Sequence, residues 1–231
     1  MDWEALIHLD KSLLLALNGS NSLFVDGLAS VLTTASTWIP LYLALLYVVI
    51  NNNDNVRQIL TIIACAVGCV LLAGTVDDTL VKPMVARWRP THDPEIGMLV
   101  DVVNGYRGGK YGFFSAHAAN TFSLAVFFSL VMRSGRLTVL LISWSLVNCW
   151  TRMYLGVHFP GDILCGLLWG GIVGVFMAWL CRWISRRCEE RKRYVSTQYT
   201  STGYAHTDID IILNVMSFTL IYVFAKACVV A

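Results

Sequence analysis

The chain has 231 residues, of which 56% are hydrophobic and 14% are charged, and its formal net charge is +2. Soluble domains usually carry about 25% charged residues, so this composition, with a mean hydropathy of +0.61, favours a bilayer protein. The small net charge gives no indication of a nucleic-acid partner. The seven cysteines show no C-x-x-C spacing, so the sequence predicts neither a zinc site nor a disulfide framework.

The first predicted element covers residues 1–21. Glu4 and Lys11 lie off an apolar stripe with helical spacing, and Asp10 interrupts that stripe. The pattern predicts an amphipathic helix lying in the membrane interface, although a helix packed on the bundle would show the same pattern. The apolar residues of the stripe are Trp3, Leu6, Ile7, Leu13, Leu14 and Leu17.

Six stretches free of Asp, Glu, Lys and Arg follow. A bilayer core needs about 20 mostly apolar residues per helix, and the backbone must satisfy its own hydrogen bonds there. The sequence therefore predicts an all-α polytopic membrane helix bundle of about six spans. The fourth and sixth stretches are short, and the sixth is also compatible with an interfacial helix. The stretches are residues 27–53, 58–76, 111–132, 137–151, 163–181 and 211–225.

The C-terminal part of the chain changes in composition. Residues 182–193 are basic, and residues 194–206 are polar and rich in Ser, Thr and Tyr. We predict a helical core over residues 1–193, followed by a polar linker and a C-terminal membrane helix over residues 194–231. The sequence predicts no oligomeric state.

The Lys and Arg residues predict an orientation. Alternating spans place Arg57, the turn between Arg133 and Arg136, and the 182–193 stretch on one side, which then holds nine Lys or Arg against seven on the other. The positive-inside rule makes the first side cytoplasmic. We therefore predict a multi-pass membrane protein whose other side faces outward.

Three polar clusters lie at the ends of predicted spans, and alternating spans bring all of them to that outward face. Arg and Lys are the side chains that bind phosphate, although any one of them alone is compatible with interfacial anchoring. The clusters are Lys82 with Arg89-Pro90, then Ser115-Ala116-His117, then Arg152 with His158 and Asp162.

The histidines suggest chemistry beyond binding. His117 lies in the first turn of an apolar stretch, where an ionisable group is functional by default, although a core histidine is the alternative. Pro160 and Gly161 predict a turn before Asp162, which either caps the fifth helix or holds one ring nitrogen of His158, or does both. Ser115 is also a possible N-cap.

Asp77 and Asp78 end the second predicted span close to Lys82. Paired carboxylates are compatible with a metal site or an acid–base pair, but no other ligand cluster accompanies them. We therefore predict interfacial placement or a salt bridge to a site cation.

The three clusters resemble the signature of the type-2 phosphatidic acid phosphatase superfamily, K-x6-R-P, P-S-G-H and S-R-x5-H-x3-D. The resemblance covers residues 82–162 and matches the charged and His positions in type, order and spacing. Phe114, Ala116 and Thr151 replace the Pro, Gly and Ser of that pattern. Ala116 still has a backbone N–H to offer a phosphate oxygen, although Gly permits closer approach.

The resemblance implies a hydrolase of lipid phosphates that works without a metal or other cofactor. It also implies an inner-membrane location, in which the outward side faces the periplasm or cell exterior. It implies His158 as nucleophile, Asp162 as the residue that orients it, and His117 as general acid. The phosphate-binding residues would be Lys82, Arg89, Ser115, Ala116 through its amide, and Arg152.

The resemblance and the outward site also suggest a substrate. Undecaprenyl diphosphate is the favoured one, and phosphatidylglycerophosphate, phosphatidic acid and a lipid A phosphate are alternatives. Two functions of other classes remain open at this stage, an anion or lipid transporter and a vanadate-dependent oxidant, because both would use the same cations.

Overall fold

The computed structural model describes residues 2–186 and 197–230, and within them the regular elements are helices, with no β-strand. Most of the predicted basic stretch and the start of the predicted linker, residues 187–196, lie outside the described residues. The α-helices are α1 (Trp3–Leu17), α2 (Leu23–Thr33), α3 (Ile39–Asn51), α4 (Val56–Val76), α5 (Lys82–Val85), α6 (Ala116–Met132), α7 (Gly135–Tyr154), α8 (Pro160–Arg186) and α9 (His206–Val230).

The first predicted span is wrong as a single helix. It consists of α2 and α3, which are bent by 69° relative to each other around a short 3-10 segment. The side chains of Thr37 and Trp38 donate hydrogen bonds to the carbonyls of Val31 and Leu32, at 2.7 and 2.9 Å. The Val31 carbonyl also accepts from the N–H of Thr34 at 3.3 Å, so backbone and side-chain donors together cap the end of α2. Because Thr37 and Trp38 lie in a largely apolar stretch, composition did not reveal the bend.

The other predicted spans correspond to helices with shifted ends. The helix after residue 56 continues through a π-helical turn (Asp77–Val81) into α5, so Lys82 lies inside its last turns rather than at its end. The third prediction began at residue 111, but α6 begins at Ala116. By length and composition, three helices of the described residues are able to cross a membrane, or four if α2 and α3 count as one span. The predicted number of spans, about six, stays a prediction.

Large apolar side chains cover the outside of the bundle. On α8, Leu164, Leu168 and Ile172 are more than 60% exposed, and α4 and α9 carry similar residues. A soluble protein rarely exposes so large an apolar surface. These faces are therefore suited to contact with lipid.

A stripe of glycines on α8 lets α6 approach closely. A Cβ atom on Gly166 would lie 2.7 Å from the carbonyl oxygen of Ser115, and one on Gly174 would lie 2.6 Å from that of Ser123. A Cβ on Gly170, midway between them, would collide with the carbonyl of Ala119. This small-residue spacing is typical of membrane helix pairs. It fixes the N-terminus of α6 against the N-terminus of α8.

The C-terminal helix belongs to the same body. Ile209, Ile212 and Val223 of α9 are fully buried and share one apolar core with α3, α4, α6, α7 and α8. At the end of the bundle away from the predicted site, Asp208 accepts hydrogen bonds from Asn51 and Asn52. The division of the chain into residues 1–193 and 194–231 stays a prediction.

Helix α1 packs on the bundle by the edge that carries Asp10, Lys11 and Leu14. Leu14 is fully buried, Lys11 forms salt bridges with Asp93 and Glu95, and Asp10 also faces inward. Trp3 is 74% exposed, and Ile7, Leu13 and Leu17 are exposed as well. Both sequence interpretations therefore describe part of this helix, since it docks on the protein and presents an apolar stripe outward.

We expect Gly170→Val to destabilise the protein by about 1–3 kcal/mol, the usual range for overpacking, because the new side chain would meet the α6 backbone. Thermal unfolding in detergent should show a lower midpoint and a loss of activity at moderate temperature. Gly135→Ala is the control, since a Cβ there meets nothing within 4 Å. Equal midpoints for the two variants would contradict this account of the α6–α8 contact.

Candidate active site

The three predicted clusters meet at one end of the bundle. The backbone N–H of Ser115 donates to the carbonyl of Asp162 at 3.2 Å. An Nη1 of Arg89 lies 3.4 Å from Nε2 of His158. The charges of Lys82, Arg89 and Arg152 all act on the rings of His117 and His158. The structure thus brings the distant segments together, and the role of each residue stays a prediction.

His158 lies in the short loop between α7 and α8 and is only 2% exposed. Arginine is solely a hydrogen-bond donor, so its contact with Arg89 makes Nε2 the acceptor and leaves the ring proton on Nδ1. Nδ1 faces the Asp162 carboxylate at 3.7 Å, which is longer than a hydrogen bond. The orienting contact expected from the sequence is therefore an electrostatic one in this state.

Asp162 is the third residue of α8, and its carboxylate is fully buried. Oδ2 accepts a hydrogen bond from the N–H of Phe159, the residue before the helix, at 3.0 Å. A side chain three residues into a helix makes the same bond in a capping box. Oδ1 accepts from Arg87 at 2.7 Å. The carboxylate therefore caps its helix, which is one of the two roles that the sequence left open. The other role, holding a ring nitrogen of His158, stays a prediction.

Arg87 and Asp10 are neighbours of the site that the sequence interpretation missed. Arg87 bonds Asp162 with one guanidinium nitrogen and Asp10 with the other, at 2.7 and 2.6 Å, and it lies over the ring of Phe159. Asp10 also accepts from the N–H of Gly161 at 2.7 Å. The result is a chain of charges from α1 to the residue beside His158. Arg87 is inside the K-x6-R-P segment, which was the available signal.

Arg89 is held by backbone carbonyls. Its Nε donates to Tyr111 at 3.1 Å and its Nη1 to Val157 at 3.3 Å. No described carboxylate forms a salt bridge with it, so its charge is not neutralised by direct contact.

Arg152, in the last turn of α7, is 3% exposed. Its guanidinium donates to the hydroxyls of Thr33 at 2.6 Å and Tyr106 at 3.3 Å. Its Nε is buried with no hydrogen-bond partner among the described residues. A buried unpaired donor is unusual, and here it is available to an anion.

Lys82 is paired with carboxylates. Its Nζ lies 2.8 Å from the fully buried Asp77 and also contacts Asp78. A salt bridge was one of the two predicted alternatives for this aspartate pair, and its contact with Lys82 confirms it. The role of Lys82 in phosphate binding stays a prediction. An incoming phosphate would compete with Asp77 and Asp78 for the ammonium group.

The second cluster forms the start of α6. Ser115 is fully buried, and its hydroxyl accepts from the N–H of Ala118 as the N-cap, which was the alternative considered for this residue. The amides of Ala116 and His117 belong to the first turn and have no acceptor within the helix. Such amides, at the positive end of a helix, favour an anion.

A cavity of about 360 Å³ opens next to these residues. Two of the eight predicted site residues, His117 and Arg152, are part of its lining, together with Thr33, Val103, Tyr106 and Leu155. The cavity therefore gives access from outside to the predicted general acid and to one cation.

Burial of the ring, together with the charges of Arg89, Arg152 and Lys82, lowers the pKa of His158 well below 6.5. The ring is therefore neutral at pH 7, which is the form able to attack an electrophile.

Comparison with known proteins identifies the family. The model of the PAP2 superfamily matches residues 55–188, a range that contains all three clusters. The chain belongs to the PAP2 superfamily. This confirms the resemblance inferred from the motifs.

Relatives of this PAP2 protein are membrane lipid phosphatases. It is 37% identical to a lipid A 4′-phosphatase of Bacteroides thetaiotaomicron over 190 residues, 81% of this chain and 82% of that protein. It is 33% identical to a lipid A 4′-phosphatase of Porphyromonas gingivalis, with 80% of each covered. Its fold resembles the crystal structure of a transmembrane PAP2-type phosphatidylglycerolphosphate phosphatase from Bacillus subtilis, with a TM-score of 0.56 and 18% sequence identity. The match covers 81% of this chain and 90% of that one.

This PAP2 protein is thus a multi-pass membrane phosphatase that acts on phosphoric monoesters. The similarity to lipid phosphatases over four fifths of the chain favours neither a transporter nor a vanadate-dependent oxidant, the two other classes left open by the sequence. The described residues contain no group of three or more His, Cys, Asp or Glu arranged to hold a metal ion.

We expect Asp10→Asn to lower kcat about tenfold or more with little change in KM. The substitution weakens a hydrogen bond between charged groups, whose usual value is about 1.5–3 kcal/mol, and loosens Arg87 against Asp162. Steady-state kinetics with purified protein measures the effect. Lys11→Gln is the matched control, because it removes ion pairs of the same helix that do not reach Asp162. The interpretation fails if both variants lose activity equally, since docking of α1 would then be the cause.

The acid limb of kcat/KM should lie below pH 6.5. A lowered His158 pKa means that the neutral ring is retained as the pH falls through 6.5 and is lost only at lower pH. The pH profile should be measured with two substrates whose phosphate groups have different pKa values. A limb caused by the enzyme stays at the same pH with both, whereas a limb caused by the substrate moves. A limb at or above pH 6.5 that is the same for both substrates would contradict the prediction.

Proposed function

We propose that this protein removes a sugar-linked phosphate from a lipid A-type glycolipid at the membrane surface. The supporting observation is the similarity to two lipid A 4′-phosphatases across four fifths of the chain. The phosphatase motifs lie within the family match. Undecaprenyl diphosphate, the favoured substrate from the sequence, stays a prediction, and these relatives favour the lipid A alternative instead.

The first chemical step is attack by Nε2 of His158 on phosphorus. The new N–P bond forms as the P–O bond to the sugar breaks, and phosphohistidine results. His117 enters as imidazolium, which a bound phosphate dianion favours, and gives its proton to the departing sugar oxygen. Arg89 would turn its Nη1 from Nε2 to a phosphoryl oxygen.

Charge stabilisation comes from the surrounding donors. Arg89, Arg152 and Lys82 would bind the equatorial oxygens, where the negative charge of the transition state resides. The amide of Ala116 would add a donor from the start of α6. Asp162, held by Arg87 at 2.7 Å, would keep the Nδ1 proton of His158 in place and stabilise the ring while it carries phosphate.

The second step returns the enzyme to its starting state. Water attacks the phosphohistidine and gives a proton to the now neutral His117, so that inorganic phosphate leaves and His158 is neutral again. No net electron transfer occurs. The proposed location is the inner membrane, where the distribution of Lys and Arg supports a site that faces the periplasm.

The substrate assignment can be tested by assaying purified protein against lipid A, undecaprenyl diphosphate, phosphatidylglycerophosphate and phosphatidic acid in mixed micelles. We expect the highest kcat/KM for lipid A, with release of the 4′-phosphate identified by mass spectrometry. A higher value for any of the other three lipids would refute the assignment.

His158→Ala should lower kcat by about 10³-fold or more, the scale expected when a nucleophile is removed. Rapid quenching with radiolabelled substrate should trap an acid-labile, base-stable phosphoprotein in the unmodified protein and none in the variant. His8→Ala, an exposed histidine on α1, is the control and should keep normal activity. Full activity in folded His158→Ala would exclude the proposed nucleophile.

We also expect chelators to leave the rate unchanged.

A further inference from the structure

The cavity beside His117 extends from Arg152 to α2. Besides Arg152 and His117, its lining contains four side chains with hydroxyl groups and one with an amide. These are Ser30, Thr33, Thr34, Tyr106 and Asn104. None of the five has a role in the phosphoryl-transfer steps above, although Thr33 and Tyr106 hold the guanidinium of Arg152.

The reaction geometry indicates which part of the substrate would enter the cavity. In phosphoryl transfer the attacking and leaving atoms lie roughly in line, on opposite sides of phosphorus. The attacking atom is Nε2 of His158, and His117 is the residue that protonates the leaving oxygen. Because His117 borders the cavity, the leaving group is the part of the substrate that would enter it.

The lining is chemically matched to a polyhydroxylated group. Hydroxyl and amide side chains both donate and accept hydrogen bonds, as sugar hydroxyls require. Asn104 donates to the Ser30 hydroxyl at 3.4 Å, a long contact that a sugar hydroxyl can replace. Val103 and Leu155 add apolar walls, and such mixed walls are typical of small-molecule sites. A prenyl chain would leave these polar groups without partners.

The cavity is also accessible. Thr34, Asn104 and Tyr106 are exposed, whereas Ser30 and Thr33 are partly buried. The exposed residues therefore form the mouth and Ser30 lies deeper, so a headgroup can enter from the outer face of the protein.

We propose that this cavity is a sugar subsite, in which Ser30 and Asn104 bind the ring that carries the scissile phosphate. The subsite rests on the proposed function, because a sugar is the leaving group only if the substrate is a glycolipid. It would determine specificity, since the cations bind any phosphate whereas the cavity selects what the phosphate is attached to.

Two variants test the subsite. Ser30→Leu fills it with an apolar side chain, and we expect kcat/KM for lipid A to fall about 10–100-fold, as a misplaced reacting group would cause. Asn104→Gly removes the amide, with an expected loss of about fivefold. Glycine suits the left-handed backbone of Asn104, whose φ is +51°, so this variant should fold normally.

The inhibition constant for inorganic phosphate is measured on each active variant, because it reports the cation site alone. We expect it to change less than about twofold, since neither Ser30 nor Asn104 contacts a site cation. Ser36→Leu is the control for an added leucine, because Ser36 is exposed and outside the cavity lining.

The outcomes separate the two proposals. A selective loss on lipid A with an unchanged phosphate constant supports the subsite. If the unmodified protein cleaves lipid A and both variants match Ser36→Leu, the subsite is overturned and the proposed function stands. A parallel weakening of phosphate binding also overturns it, since the damage would then lie in the cation site. If the unmodified protein does not cleave lipid A, the proposed function fails and the sugar assignment fails with it.

Discussion

The candidate active site depends on the close contact between α6 and α8. Helices in a bilayer gain little from burying apolar surface against each other, so packing of small residues brings them together. The glycine stripe at residues 166, 170 and 174 permits that contact. As a result the first turn of α6, with His117, lies against the first turn of α8, with Asp162, and Ser115 joins them by a backbone hydrogen bond of 3.2 Å. Without this contact His117 and the loop that carries His158 would belong to separate surfaces.

The buried charges around this contact would favour binding of an anion. An isolated buried charge costs several kcal/mol, and most ions here are paired. Arg87 lies between Asp10 and Asp162, and Lys82 contacts Asp77. Arg89 and Arg152 are different, because their partners among the described residues are carbonyls, hydroxyls and a ring nitrogen. The unneutralised positive charge is thus concentrated beside His158, where a phosphate would compensate it.

Much of this arrangement could be predicted from the sequence, because the motifs keep fixed spacings and charge-free stretches indicate membrane helices. The bend at Thr34 could not be predicted. The side chains of Thr37 and Trp38, which donate hydrogen bonds to carbonyls at the end of α2, lie within an otherwise apolar stretch. The partnership of Asp10 with Arg87 joins residues 77 positions apart, and a single sequence carries no signal for such a pair. The glycine stripe is a different case, because its four-residue spacing is visible in the sequence and predicts a close helix contact.

Helix α1 connects the chemistry to the membrane surface. Its exposed apolar residues, Trp3 and Ile7 among them, are suited to the boundary between headgroups and acyl chains. Its inward edge bonds Arg87 and the start of α8 through Asp10. One rigid helix therefore relates the depth of the Asp162 carboxylate to the depth of the lipid headgroups. A phosphate on a lipid headgroup would then meet His158 without leaving the interface, which is the geometry that a lipid phosphatase requires and a phosphatase for soluble esters does not.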